Sequence, residues 1–382
     1  VGFSSFVIKF TTLRKLTGIT VTLLCAFSHL IINAQQIYHA RFSGNTAAFS
    51  YTLYLQNVMG DLSANLYSYP AGTESYNKVT DRTELIGKLI DGTIQLRKPG
   101  EKSAFIEGKQ HGDTINAILS PSEEIQVEIN LTNTPISGGL SVTLAYIGGK
   151  QALNPADPFT PHATIELTAF VCDGCVTAVK QQLLRFAALD FPDDSVQETH
   201  TDSLLKLAVK KYFAQYSRLS ESPDVARSAG NNWERVQQMQ LLYNEQGVYC
   251  AEKLIYAYTG GAHGLTNTSY LLLNTHTGLP IELPDLITPD SIPALTTRIT
   301  NKLKLQSGLE MTDSLSANGF FVDVVRPNEN FYVCPDGLGF VYNSYEIAPY
   351  AKGLIRVSFN WNELSGLLNE SFVIPGYTYR KQ

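Results

Sequence analysis

Between residues 36 and 149 apolar and polar positions alternate in short runs, among them Ala47-Ala-Phe-Ser-Tyr-Thr-Leu-Tyr-Leu, Leu62-Ser-Ala-Asn-Leu-Tyr-Ser-Tyr and Ser141-Val-Thr-Leu-Ala-Tyr-Ile. A period of two sends successive side chains to opposite faces, so these runs predict half-buried β-strands. Turn residues divide them: Met59-Gly-Asp, Pro70-Ala-Gly, Lys98-Pro-Gly and Gly148-Gly. Asp91-Gly92, between Leu85-Ile-Gly-Lys-Leu-Ile and Thr93-Ile-Gln-Leu, is a two-residue hairpin signal. The stretch predicts an all-β domain over 36–149, an antiparallel meander that is sandwich-like or a partly open barrel. Pro155, Pro158 and Pro161 then interrupt the pattern, and residues 150–170 are expected to form a linker.

The period changes after that. Val176, Val179, Leu183, Leu184 and Ala187 recur at helical spacing, as do Leu204, Leu205, Ala208, Tyr212 and Phe213. Asp290-Ser291 stands ahead of a third helix with Ile292, Leu295, Ile299 and Leu303 in register. Strand pairs are expected at 235–243 with 248–258, around Asn244-Glu-Gln-Gly, and at 269–274 with 279–283. Further β runs are expected at 320–325, 338–345 and 354–361. The fold class is therefore α+β, with a C-terminal antiparallel sheet covered by two or three helices over 171–382.

The N-terminus changes the picture of where the protein works. Residues 1–34 read as a signal peptide: Lys9, Arg14 and Lys15 precede the apolar run from Ile19 to Phe27, and Ile32-Asn-Ala34 suits cleavage before Gln35. The expected location is exported, periplasmic or extracellular, with no stable membrane anchor after cleavage. Net charge is −6, or −9 with the three N-terminal cations set aside, which disfavours nucleic acid as a partner because phosphate binding needs basic patches.

Cysteine use fits an oxidising compartment. The four that follow the leader, Cys172, Cys175, Cys250 and Cys334, allow three pairings, and Cys172–Cys175 with Cys250–Cys334 is preferred. The second pair sits in two strand-like runs, which makes a cross-sheet bridge sterically plausible. Cys-Asp-Gly-Cys at the start of a helical pattern also suits a redox dithiol, but the sequence displays no strand–helix–strand pattern around it. No metal site is expected, since only one cysteine pair has close ligand spacing.

Two segments stand out as candidate sites. In Tyr256-Ala-Tyr-Thr-Gly-Gly-Ala-His-Gly, Gly260, Gly261 and Gly264 predict a tight bend, and no Lys-Ser/Thr follows to cradle phosphate. His263 within it is a hydrogen-bonded loop histidine or, in an enzyme, a general base or metal ligand. In Tyr345-Glu-Ile-Ala-Pro-Tyr-Ala-Lys-Gly, Pro349 ends a strand and displays Tyr345, Glu346 and Tyr350 on a loop suited to protein or glycan contact. There is no Gly-x-Ser-x-Gly elbow, and composition and spacing define neither a reaction nor a cofactor.

Tyr258-Thr-Gly-Gly-Ala-His-Gly, Asn274 through Thr277-Gly, Leu283-Pro-Asp-Leu and Phe340-Val-Tyr-Asn-Ser-Tyr-Glu-Ile-Ala-Pro-Tyr-Ala-Lys-Gly together resemble the bacterial extracytoplasmic family called domain of unknown function 3298. The resemblance covers about 171–382 and leaves the N-terminal half unassigned. The family forms the outer part of RsiV-type anti-sigma factors and accompanies the catalytic domain of PdaC-type deacetylases. It implies an α+β binding module, which in RsiV-type proteins binds lysozyme. The few residues ahead of the apolar segment are expected to be too short for a cytoplasmic sigma-binding region, and the sequence displays no deacetylase-like metal motif. The expectation is thus an exported, non-enzymatic envelope binding protein for a protein (lysozyme-like) or peptidoglycan-type ligand. The alternative is an envelope hydrolase or deacetylase-associated enzyme using His263.

Overall fold

The computed structural model describes residues 37–71, 81–134, 136, 138–188, 200–221 and 229–370. The expected signal peptide, 1–34, lies outside them. Eight strands follow in order: β1 (Ile37–Asn45), β2 (Phe49–Val58), β3 (Asp61–Pro70), β4 (Asp81–Ile90), β5 (Thr93–Arg97), β6 (Ile106–His111), β7 (Thr114–Ser122) and β8 (Ile125–Asn133). Each pairs antiparallel with the next, and Phe42 and Ser43 of β1 pair with Asn133 and Thr132 of β8. The meander therefore closes into a barrel and is not a sandwich. Closure brings strands into tight register: a Cβ on Gly87 would stand 1.8 Å from Gln95 O, and one on Gly108 2.2 Å from Asn116 O. The interior is filled with aliphatic side chains, including Leu53, Leu55, Leu62, Leu66, Ile94, Leu96, Ile106, Ile115 and Leu131.

The second sheet has the order β13-β12-β11-β10-β9, built from β9 (Thr143–Ala152), β10 (His162–Val171), β11 (Trp233–Glu245), β12 (Val248–Tyr258) and β13 (Leu265–Asn274). It corrects the expected domain layout. Residues 150–170 are not a linker, because Lys150 to Ala152 end β9 and pair with His162 to Thr164 of β10. The three prolines occupy the turn between these strands, where no ladder hydrogen bond is required of them. β9 likewise belongs to this sheet and not to the barrel. Pairing is antiparallel except between β10 and β11, which run parallel. Such a connection needs a crossover, and α1 (Thr177–Ala187) and α2 (Thr201–Ser217) supply it. They bury Val179, Leu183 and Ala187, and Leu204, Leu205, Ala208, Tyr212 and Tyr216, against one face of the sheet.

The opposite face carries the barrel and a three-stranded sheet of β14 (Phe331–Cys334), β15 (Gly337–Tyr342) and β16 (Ile355–Asn360). A short α3 (Leu283–Leu286) precedes α4 (Ile292–Gln306), which buries Leu295, Ile299 and Leu303 and packs on β16. Two helices thus cover the large sheet and one the small sheet. The β runs expected at 279–283 and 320–325 do not form strands. The first makes a single bridge, Leu273 to Pro280. In the second, Phe321 N–H donates to Ile347 O at 2.8 Å and Val325 N–H to Thr300 Oγ1 at 3.0 Å, so scattered partners satisfy the backbone.

β2 and β3 are buried on both faces. Leu53, Leu55, Leu62 and Leu66 point into the barrel, whereas Tyr54 and Tyr67 join the core of the large sheet. The polar outward residues bind β11. Tyr67 OH donates to Leu242 O (3.0 Å), Gln238 Nε2 to Ser63 Oγ (3.1 Å), and Tyr54 OH and Arg41 Nε to Glu245 Oε1 (both 2.7 Å).

Cys172 and Cys175 form a disulfide, as expected. Cys250 and Cys334 are instead free thiols, both buried. Cys334 Sγ donates to Asp336 Oδ1 (2.7 Å), and Cys250 hydrogen-bonds at the backbone of Val333, so each sulfur has its own partner. Burial pushes the Cys250 thiol up to about 12, and burial with the Asp336 carboxylate raises that of Cys334, which disfavours the reactive thiolate at both.

Candidate functional site

The two segments singled out in the sequence are 86 residues apart, and the fold brings them together. Residues 259–264 connect β12 to β13. Gly260 and Gly261 have φ of 102° and 93°, a left-handed geometry that side chains resist. Gly264 serves differently: a Cβ there would meet the Tyr256 ring at 2.5 Å, so this glycine admits an aromatic neighbour. Tyr258 OH donates to Gly261 O (3.0 Å) and ties down the bend.

The second loop leaves β15 and returns to β16. Asn343 bonds Thr268 of β13 with both ends of its amide, its Oδ1 accepting from the backbone N–H (2.8 Å) and its Nδ2 donating to the carbonyl (3.1 Å). Glu346 is a brace in this loop: Oε2 accepts from Asn343 N–H and Oε1 from Asn328 Nδ2, each at 2.8 Å. Tyr345 sits at φ 70°, a strained value for a tyrosine, and the residue is more than half exposed. Tyr350 then lies over the first loop. Its ring stacks on His263 with centroids 3.8 Å apart and planes 16° from parallel, and its hydroxyl donates to Gly264 O at 2.8 Å. His263 Nδ1 faces the same carbonyl at 3.2 Å, and the Tyr345 ring follows 6.0 Å from that of Tyr350.

This aromatic pair stands at one end of a cleft of about 1380 Å³ between the barrel and the large sheet. One wall is barrel: Lys88 on β4, Gln95 and Arg97 on β5, and Glu107 on β6. The other is sheet: Lys150, His162 and Thr164 from β9 and β10, Trp233 and Glu234 from β11, and Tyr256 and Tyr258 from β12. Charges of both signs face each other across it, and Lys88 pairs with Asp61 at its inner edge. Two residues further along β10, burial and then the carboxylates of Asp61 and Glu234 push Glu166 up to about 7. Burial also raises the Tyr256 hydroxyl.

Of the sequence candidates, Gly260, Gly261, His263, Gly264, Tyr345 and Tyr350 converge, while Glu346 is consumed in bracing the loop. No pattern in the chain marks the barrel wall, whose lysines and arginine alternate like the outward residues of any strand. Among the described residues no group of three or more His, Cys, Asp or Glu is disposed to hold a metal ion, and no helix is long and apolar enough to cross a membrane.

A family model described as "Protein of unknown function (DUF3298)" matches residues 284–362. That stretch holds α4, the small sheet and the Tyr345–Tyr350 loop, and it is narrower than the resemblance read from the sequence. No curated protein matches the chain. Among solved structures, a DUF3298 family member from Bacteroides fragilis is similar at 23% identity and a TM-score of 0.52, covering 61% of this chain and 96% of that one. A DUF3298 family protein from Pseudomonas aeruginosa aligns at 16% identity and a TM-score of 0.42, over 62% and 96%. The first likeness extends the shared fold well beyond residues 284–362.

Proposed function

From a chain whose residues 284–362 are a DUF3298 domain, we propose an exported, non-enzymatic binding protein of the bacterial envelope. Its cleft between barrel and sheet receives a protein segment or a peptidoglycan-type glycan. The observation that supports this most is the His263–Tyr350 stack, which joins two remote loops at the end of a wide aromatic cleft. Aromatic faces give contact area at little entropic cost, and the flanking Lys102, Lys150 and Glu234 can satisfy polar groups along an extended ligand. The His263 ring has one face taken by Tyr350 and its Nδ1 turned to a backbone carbonyl, an arrangement suited to holding a loop.

Calorimetric titration of the full chain with lysozyme, and separately with soluble muropeptides, tests the reading. Micromolar binding to one of them is expected, weakened at least about tenfold in Tyr350→Ala, the equivalent of about 1.4 kcal/mol. Absence of binding to both refutes it. Zinc-dependent cleavage of the muropeptides that disappears in His263→Ala would establish the enzyme alternative.

A further inference from the structure

The Cys172–Cys175 disulfide lies at the far end of β10 from the cleft, about 30 Å away at the rise of a strand. Its surroundings are a strand that ends at Val171, the Cys-Asp-Gly-Cys loop, and a helix that starts at Thr177. Because β10 and β11 are parallel with α1 and α2 between them, the motif occupies the strand-to-helix junction of a β-α-α-β crossover. This is the setting the sequence did not display. Cys172 is buried and packs in the core, while Cys175 is partly exposed and directly precedes Val176, the N-cap of α1. A Cβ on Gly174 would meet nothing within 4 Å, so the loop between the sulfurs is open to approach. Two exposed apolar side chains lie on this side of the fold: Val176, next to Cys175 in the chain, and Leu279, which follows a glycine packed on the first turn of α1, its Cβ position 2.8 Å from Val179 N.

We propose that Cys172–Cys175 is an exchange-competent disulfide that accepts two electrons from a dithiol carried on an extended polypeptide segment. A partner thiolate attacks Cys175 Sγ, which belongs to the less buried of the two cysteines. The Sγ–Sγ bond breaks, and the electron pair leaves on Cys172 Sγ, which takes a proton. The partner's second thiolate then attacks its own sulfur in the mixed disulfide and releases Cys175 as thiolate. The partner leaves as a disulfide, and the protein holds one thiol and one thiolate that protonates at equilibrium. Cys175 directly precedes the N-cap of α1, and a helix N-terminus favours a thiolate beside it, which stabilises the reduced form. Val176 and Leu279 give the apolar residues around a partner cysteine a surface to rest on.

The test equilibrates the full chain with graded mixtures of reduced and oxidised glutathione, quenches with acid, and counts thiols at each cysteine by alkylation and mass spectrometry. Cys172 and Cys175 are expected to pass from oxidised to reduced within millimolar glutathione, with the buried Cys250 and Cys334 as internal references. In the reduced native protein, iodoacetamide at neutral pH should modify Cys175 at least about tenfold faster than Cys172, because Cys172 is buried and Cys175 is partly exposed. Cys172→Ser treated with oxidised glutathione should carry the adduct on Cys175. A pair that stays oxidised in excess reduced glutathione, or equal alkylation of the two cysteines, identifies a structural staple and overturns the proposal. The alkylation measurement on the unmutated chain holds even if Cys172→Ser does not fold.

Discussion

Tyr350 is expected to be the clasp between the two loops, and the strength of the clasp follows from its contacts. Its hydroxyl makes one hydrogen bond, to Gly264 O, and its ring covers His263 at 3.8 Å. Tyr350→Phe deletes the first and keeps the second, so about 1 kcal/mol of stability should be lost. Tyr350→Leu also removes the stacking, worth about 0.5–1.5 kcal/mol more. The decisive quantity is the coupling between Tyr350→Leu and His263→Ala. The two rings touch, so the double variant should be less destabilised than the sum of the singles by about 0.5–1.5 kcal/mol. Urea unfolding followed by the fluorescence of Trp233 and Trp361 measures all four corners of the cycle, provided the denaturant slope is unchanged. Hydrogen exchange at 262–264 should quicken in each Tyr350 variant. A coupling within about 0.3 kcal/mol of zero, with Tyr350→Phe indistinguishable from the unaltered protein, would refute the idea that this contact holds the site together.

Three other outcomes are expected. Glu245→Ala removes the carboxylate that accepts from Arg41 and Tyr54 at the barrel–sheet contact; leaving that guanidinium under-compensated in a largely buried site should cost about 3–5 kcal/mol in urea unfolding. Gly87→Ala drives a methyl to 1.8 Å from Gln95 O, so β4 and β5 must part, with a loss of about 1–3 kcal/mol and faster amide exchange confined to the barrel. Glu166, pushed up to about 7, binds its proton more tightly folded than unfolded, so its contribution is whole below about 4.5 and is lost as pH rises through 7. Glu166→Gln should flatten that decline by about 1 kcal/mol after solvent screening of this partly open position, and an unchanged pH profile would exclude the combined effect of burial and of repulsion from Asp61 and Glu234.

The helices and hairpins with strong period were legible in the chain. Leu204, Leu205 and Ala208 face the core as spaced, and Asn244-Glu-Gln-Gly turns between β11 and β12. What the pattern withheld was the destination of the polar faces. Thr52, Ser63 and Asn65 alternate as solvent-facing residues would, yet they are buried against the large sheet. Alternation reports that two faces differ, not what each one meets. Pro155, Pro158 and Pro161 read as a boundary because proline stops a ladder, but here they form only the turn of a hairpin whose strands continue on both sides. The site divides the same way. His263 and Tyr350 were visible as unusual loop residues, whereas their stacking, the barrel wall opposite and the bracing role of Glu346 are products of tertiary placement.

The barrel's grip on β11, the middle strand of five, carries a consequence for recognition. With Tyr54, Tyr67, Ser63 and Arg41 anchored along that strand, the gap between the two bodies has a set calliper width. Such a slot sorts molecules by girth as a gauge does, and it gives up little freedom of its own when one fits.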